Sequence, residues 1–405
     1  MAKTVVIAGA GHAAGQAVAS LKQHKFGGRI ILVGDEPYLP YQRPPLSKRF
    51  LAGEMPAERL FVKPPSFYED DRIEVHLDTR VTGIDRDTRT ISTANGRSFD
   101  YDNLILATGS RARKLPVEGA TLAGIHYLRS IADVDAIRAE VRDGRRLVII
   151  GAGYIGLEVA AVCCKLGLDV TVVEMADRVM SRVVSEQVSA FYAAQHQVHG
   201  VKLRLSTGLR EFAGSDGRVE AVVTADGLAI GCDFAIVGVG ILPNVELAKN
   251  AGLEIDNGIV VNEHCVTSDP DIYAVGDCTS HPNAIYGRRI RLESVHNALE
   301  QAKTAADNIC GVETRYDQVP WFWSDQYDLK LQIAGLSQGY DEVVLRGDMS
   351  RKSFACSYLA NGVLLAVDAV NSPREFMQAK ALIARRAVID PTDLADPEKA
   401  LKDLG

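Results

Sequence analysis

The apolar positions of the chain fall into two kinds of run. Lys3 to Ala8 is a short β-branched stretch, and Arg29 to Val33 (RIILV) is another. Between them a glycine turn leads into a segment with helical spacing, His12 to about His24. Strand, turn, helix and strand in that order make a βαβ unit, whose strands read as continuous apolar runs because both faces are covered. The same succession returns in mid-chain. Arg146 to Ile150 is apolar, glycines follow, Gly156 to Leu166 reads as helix, and Leu168 to Val173 is the next strand. Gly9 and Gly151 hold corresponding positions, 142 residues apart. Elsewhere the pattern shortens to brief strands set off by Asn95-Gly96, Asp216-Gly217, Asp226-Gly227, Asn257-Gly258 and Asn361-Gly362. Such dipeptides favour tight turns, several of them between antiparallel strands. From about Trp321 the character changes: both tryptophans, hairpin-like strands up to Val370, then a polar helical tail. The pattern predicts an α/β protein with two Rossmann-like dinucleotide-binding domains and a C-terminal α+β domain.

Composition narrows the class. The chain has 405 residues, 47% of them hydrophobic, and at about 150 residues per domain it is long enough for two or three domains. Its 45 basic and 52 acidic residues leave a net charge of −7 and a pI of about 5.8. That argues against a general nucleic-acid binder, which needs a basic footprint. No apolar run approaches the roughly 20 residues that cross a bilayer. The N-terminal apolar run is broken by glycines and reads as a first strand, not a signal peptide, which predicts a cytoplasmic protein without membrane contact. Seven scattered cysteines with no C-x-x-C fit reduced thiols, with neither a zinc site nor a thioredoxin-type dithiol. The first of them is Cys163.

The glycines carry the candidate chemistry. Gly9-x-Gly11-x-x-Ala14 follows a strand and opens a helix. The first glycine permits the tight turn, the second lets backbone approach a pyrophosphate, and the third small residue lets helix and strand pack closely. The helix N-terminus offers N–H groups to the phosphates. A ribose-binding acid belongs roughly 20 residues or more further on. Asp35 lies 26 residues after Gly9, with Glu36 its rival. The second cradle, Gly151-x-Gly153-x-x-Gly156, has the full three-glycine form, and Glu174 follows Gly151 by 23 residues. A carboxylate there accepts from a ribose 2′-hydroxyl and repels a 2′-phosphate. The pattern predicts NADH preference, with Arg178 close enough to leave some NADPH use open. Two cradles call for two nucleotides, most economically a resident flavin and a nicotinamide that comes and goes.

Seven segments in order, GAGHAA, RPPLSK (43–48), LATGSRAR (106–113), GAGYIGLEVA, SDPDIYAVGDC (268–278), ESVHNALEQA (293–302) and PWFWSDQY (320–327), resemble the NADH-dependent ferredoxin reductases. These putidaredoxin reductase-like FAD flavoproteins belong to the glutathione-reductase-like superfamily, and the resemblance covers essentially the whole chain. It implies a discontinuous FAD domain, 1–115 and 244–320, an NAD domain at 116–243 and a C-terminal domain at 321–405. It implies that Ala13, Asp35, Lys48, Val81, Arg129, Asp277 and Val295 contact FAD. Lys48 would stand near the flavin, paired with Glu158. Tyr154 would shield the flavin until nicotinamide displaces it. Asp277 would accept from the ribityl chain, and the helix starting at Val295 would stabilise negative charge on the reduced ring by its dipole. Each has a plainer alternative: a surface lysine, a helix-N-terminal acid, a packing tyrosine, an ion-paired Arg129. Cys278 reads as packing. Trp321 and Trp323 read equally as an electron route or as core.

Disulfide reductases of this superfamily carry two cysteines after the first βαβ unit, and peroxidase relatives carry one. Here that region reads YLPYQRPPLSKRF. Reduced flavin then has no internal thiol to reduce and passes electrons outward singly. The resemblance implies hydride transfer from NADH to FAD, then one-electron transfers to a 2Fe-2S ferredoxin serving a haem-thiolate monooxygenase or aromatic dioxygenase. Ferredoxins are usually acidic, so a basic docking patch is expected. Lys63 and Lys303 are candidates by resemblance, and Arg288, Arg289 and Arg291 form another cluster. The rivals are a rubredoxin reductase, a peroxide-forming NADH oxidase, and an NADH-sensing interaction module.

Overall fold

The computed structural model describes residues 3–405. They form two compact units, one of residues up to Arg43 with Glu58–Arg111 and Leu242–Pro320, the other of Pro44–Ala57, Ala112–Ile241 and Trp321–Gly405.

The first unit is built on a parallel sheet in the order Ile272–Ala274, Asn103–Leu106, Thr4–Ala8, Arg29–Val33, Ile73–His76. Alternate side chains go to opposite faces. Val5, Ile7, Ile30, Leu32 and Ile105 pack with the helices His12–Gln23 and Val295–Ile309, while Val6, Ile31, Val33, Leu104 and Leu106 fill the other face. Strand order reverses beside Thr4–Ala8, the switch point at which open α/β sheets bind ligands.

The second unit repeats this plan in the order Lys202–Arg204, Asp169–Val173, Arg146–Ile150, Phe234–Val237, Ile125–Tyr127, again parallel. The repeat extends to single hydrogen bonds. Gly9 N–H donates to the Val33 carbonyl and Gly151 N–H to that of Val173, both at 2.8 Å. The helix after the second cradle starts at Tyr154, two residues before the expected Gly156.

The same unit holds an antiparallel sheet in the order Trp321–Gln326, Leu329–Gly335, Val363–Val370, Ser353–Ala360, Glu342–Asp348, with the helix Pro373–Ala384 against it. Asn95-Gly96, Asp216-Gly217, Asp226-Gly227 and Asn361-Gly362 each join antiparallel strands. Asn257-Gly258 does not make a full hairpin: it supports one bridge, Ile255 to Ile259, and the strand Ile259–Val260 pairs in parallel with Thr279–Asn283. Pro44–Ala57 lies inside 1–115 in sequence but groups with the second unit, where Pro44–Ser47 packs on the helices Tyr154–Lys165 and Ile131–Glu140, and Ser47 and Lys48 bond to Glu158.

Candidate functional site

In the first unit the strand Thr4–Ala8 delivers the chain into the glycine turn. Gly9 has φ +118°, and a Cβ there would stand 2.2 Å from the Ala107 carbonyl oxygen, so no other residue fits. Gly11 differs: a Cβ there would meet nothing within 4 Å. The second glycine thus opens onto free space at a helix N-terminus, the arrangement a pyrophosphate needs. Ala13 and Ala14 are buried under this turn. A Cβ on Gly276 would touch that of Ala13 at 3.4 Å, so the Gly276-Asp277 loop closes over the helix start. Gln301 pins the loop, its Oε1 accepting from Gly276 N–H at 2.8 Å and the Thr279 hydroxyl at 2.9 Å. Asp277 accepts from the Ser110 hydroxyl at 2.7 Å. Of the two candidate ribose acids, Glu36 is engaged by the Tyr41 hydroxyl at 2.5 Å and Arg43 at 2.7 Å. Asp35 is 53% exposed beside the still more open Arg80, 3.1 Å away. Val81 is half-buried at the start of its strand. Val295 opens a helix whose cap, Ser294, accepts from Asn297 N–H at 3.1 Å.

In the second unit Gly151 has φ +104°, and a Cβ would lie 2.5 Å from the Gly238 carbonyl oxygen. A Cβ on Gly156 would lie 2.1 Å from the Gly151 carbonyl oxygen, whereas one on Gly153 meets nothing within 4 Å. Glu174 follows the strand Asp169–Val173 and turns back to the cradle. Its carboxylate accepts from Ala152 N–H at 2.7 Å and Ala176 N–H at 2.8 Å, which fixes it beside the turn. Arg178 is half-buried, and its guanidinium donates to the carbonyls of Ser181 and Val184, at 2.7 and 2.9 Å. Arg129 is half-buried, its N–H donating to Asp133 at 3.0 Å just before the capped helix Ile131–Glu140. Tight contacts at Gly9, Gly151 and Gly156, with open space above Gly11 and Gly153, give both cradles the shape that admits a dinucleotide.

Lys48 and Glu158, more than a hundred positions apart, meet in this unit. Lys48 Nζ lies 2.6 Å from Glu158 Oε2, and the side chains are 16% and 1% exposed. Ser47 donates to the same oxygen at 2.5 Å and Ser324 to Oε1 at 2.7 Å. A buried carboxylate needs such donors to offset its desolvation. The sequence reading missed both serines; the signal was an acid set in the apolar helix YIGLEVAAV, which has to find partners elsewhere. Tyr154 is half-buried, its ring 4.9 Å from that of Phe322. Its hydroxyl points inward, and burial drives its pKa well up.

Within the basic cluster, Arg289 donates to the carbonyls of Val261 and Ser280, and Arg291 to Glu293 and Asn257. Arg288 is exposed. Lys303 is offset by Glu300 at 2.5 Å, and Lys63 lies over the Phe67 ring. Trp321 and Trp323 neighbour each other, and Trp321 also packs on Phe376. All seven cysteines are free, and burial pushes the Cys163 and Cys356 thiols up to about 12. No helix of the described residues is long and apolar enough to cross a membrane.

Residues 3–302 match the family model described as pyridine nucleotide-disulphide oxidoreductase, and 321–405 match one described as reductase C-terminal. Rhodocoxin reductase of Rhodococcus erythropolis is 45% identical over 399 residues, spanning 98% of this chain and 93% of that protein. Putidaredoxin reductase of Pseudomonas putida is 44% identical over 405 residues, spanning 99% and 96%. A crystal structure of the covalent putidaredoxin reductase–putidaredoxin complex superposes with a TM-score of 0.96, covering 99% of this chain and 97% of that one. The duplicated cradles and these matches together place the chain in the pyridine nucleotide-disulphide oxidoreductase family, among its ferredoxin reductases.

Proposed function

We propose that this enzyme is an FAD-dependent NADH:ferredoxin oxidoreductase of the cytoplasm, and that its acceptor is a 2Fe-2S ferredoxin feeding a haem-thiolate monooxygenase or aromatic dioxygenase. The observation that carries this reading is the pairing of two dinucleotide cradles with a chain that has no cysteine before Cys163. In the net reaction NADH yields NAD⁺, a proton and two electrons, and two ferredoxins take one electron each. When bound, the flavin supplies the conversion between a hydride and single electrons.

The chain's own residues bind, orient and set charge. The domain assignment proposed is 1–115 with 244–320 for FAD, 116–243 for NAD, and 321–405 for the acceptor side. Gly9, Gly11, Ala13 and Ala14 would cradle the FAD pyrophosphate, and Asp35, the freer of the two acids, its ribose. Val81, Arg129, Asp277 and Val295 would complete the FAD contacts. Gly151, Gly153 and Gly156 would hold the NADH pyrophosphate, with Glu174 accepting from its ribose. Lys48, held by Glu158, would present positive charge to the flavin, and Tyr154 would cover it in the absence of nicotinamide. Lys63 and Lys303 remain the proposed contacts for an acidic ferredoxin.

The test is anaerobic stopped-flow reduction by NADH followed by mixing with a panel of 2Fe-2S ferredoxins. Fast reduction and fast reoxidation by at least one of them is expected. Reoxidation by rubredoxin alone would change the partner, rapid turnover on oxygen alone would make the enzyme an oxidase, and slow reduction by NADH would favour a sensor.

A further inference from the structure

Glu158 is not held by Lys48 and Ser47 alone. Behind Ser324, which donates to its Oε1, stands a line of polar side chains within the second unit. Gln326 Nε2 donates to Ser324 Oγ at 3.1 Å. Gln326 Oε1 lies 2.8 Å from His196 Nε2, and His196 Nδ1 lies 3.0 Å from the Tyr327 hydroxyl. Ser324, Gln326 and His196 are each 0% exposed. Tyr327 is half-buried, sits at φ 56° in the turn after Trp321–Gln326, and stacks on His199 at 3.7 Å.

The direction of every bond in this line follows from Glu158. An ionised carboxylate only accepts. Ser324 has one proton, which therefore goes to Glu158, and its lone pairs face Gln326. The amide must then turn its NH₂ to Ser324 and its carbonyl to His196. A carbonyl only accepts, so His196 carries its proton on Nε2. Nδ1 is left as an acceptor and takes the Tyr327 proton, which fixes the tautomer. Burial keeps the ring neutral, pushing its pKa down to about 4. Were the amide to turn over, Ser324 would donate to Gln326 and Glu158 would lose one of its donors.

We infer that Gln326, His196 and Tyr327 are positioning residues: a one-way hydrogen-bond relay that aims the single proton of Ser324 at Glu158 and so fixes the carboxylate against Lys48. An amide at its centre orients hydrogen bonds and does not pass protons readily, so the relay sets geometry and is not a proton path. Its effect on the reaction rests on the reading that the Lys48–Glu158 pair serves the flavin.

The test has a spectroscopic arm and a kinetic arm, both on holoenzyme. With ¹⁵N-labelled histidine, His196, identified by its loss in His196→Phe, should show the Nε2–H tautomer. Ser324→Ala, which frees Gln326 to turn, should bring up the Nδ1–H tautomer at the far end of the line. Gln326→Leu should slow flavin reduction at saturating NADH about tenfold, the scale of one lost bond to a charged group, with KM for NADH unchanged. Tyr327→Phe, a lesser change at a half-exposed turn, should slow it about threefold. A wild-type Nδ1–H tautomer, a tautomer indifferent to Ser324→Ala, or a Gln326→Leu enzyme as fast as wild type would overturn the relay. Glu158→Gln separates the two readings: if it leaves flavin reduction unchanged, the pair does not serve the flavin, while the tautomer response still judges the relay.

Discussion

At the scale of single residues, Lys48 and Glu158 make the sharpest case. The Glu158 side chain is buried and that of Lys48 mostly so, and the carboxylate takes three donors, Lys48, Ser47 and Ser324. Removing one partner of a buried pair leaves an uncompensated charge and costs about 3–5 kcal/mol, whereas replacing both is often neutral. Lys48→Met should therefore lower the urea midpoint of the holoenzyme strongly, and Lys48→Met/Glu158→Gln should recover most of the loss. Additive effects in that double-mutant cycle would show that the pair does not hold the fold. The two charged residues are legible because each sits in a recognisable segment, RPPLSK and GLEVA. Ser47 and Ser324 are not, because a serine at a strand or loop position suits many roles and only the packed structure shows which oxygen it faces.

Among elements, the two strand–turn–helix units were the most legible, since continuous apolar strands and glycine spacing both follow from burial. The sequence does not say which glycines are fixed by the fold and which by the ligand. The structure separates them, and the separation can be checked. Gly156→Ala would put a Cβ 2.1 Å from the Gly151 carbonyl oxygen and force helix and strand apart, a loss expected on the scale of overpacking, about 1–3 kcal/mol or more. Gly153 adopts an ordinary φ of −78° with no atom within 4 Å of the added carbon. Gly153→Ala should keep the melting midpoint near wild type yet raise KM for NADH, because its methyl group occupies the space left for phosphate. Equal melting losses for both variants would show that the open space above Gly153 is not a ligand's. Hairpins were legible where a dipeptide carried left-handed residues, as Asp216 (φ 48°) with Gly217 (φ 75°) do. Asn257-Gly258 has the same chemistry, but the following strand finds a parallel partner in Thr279–Asn283, a tertiary choice that local pattern does not encode.

For the molecule as a whole, the grouping of Pro44–Ala57 with the second unit was hidden for a related reason: its contacts there, such as Lys48 with Glu158, join residues more than a hundred positions apart. Asp368 is another acid whose surroundings only the packed structure shows. Asp368 lies in the strand Val363–Val370, 1% exposed, and accepts from the Tyr358 hydroxyl, which in turn accepts from Ser185 N–H at 2.8 Å. Burial pushes its pKa up from the ordinary carboxylate value to about 7, against the opposing pull of the Tyr358 bond. Between about pH 4 and 7 the unfolded chain has lost this proton and the folded chain keeps it. The native state then binds more protons, so this group's contribution to stability falls as pH rises through that window and levels off above pH 7. The slope is at most about 1.4 kcal/mol per pH unit. Asp368→Asn removes the titration and keeps an oxygen for Tyr358. The variant's stability relative to wild type should therefore climb from pH 4 to pH 7 and stay constant from there to pH 8. Urea titrations followed by tryptophan fluorescence suit the question, because Trp321 and Trp323 lie in the same unit as Asp368. A difference that is flat across this range would mean that Asp368 ionises in the folded protein as freely as in water.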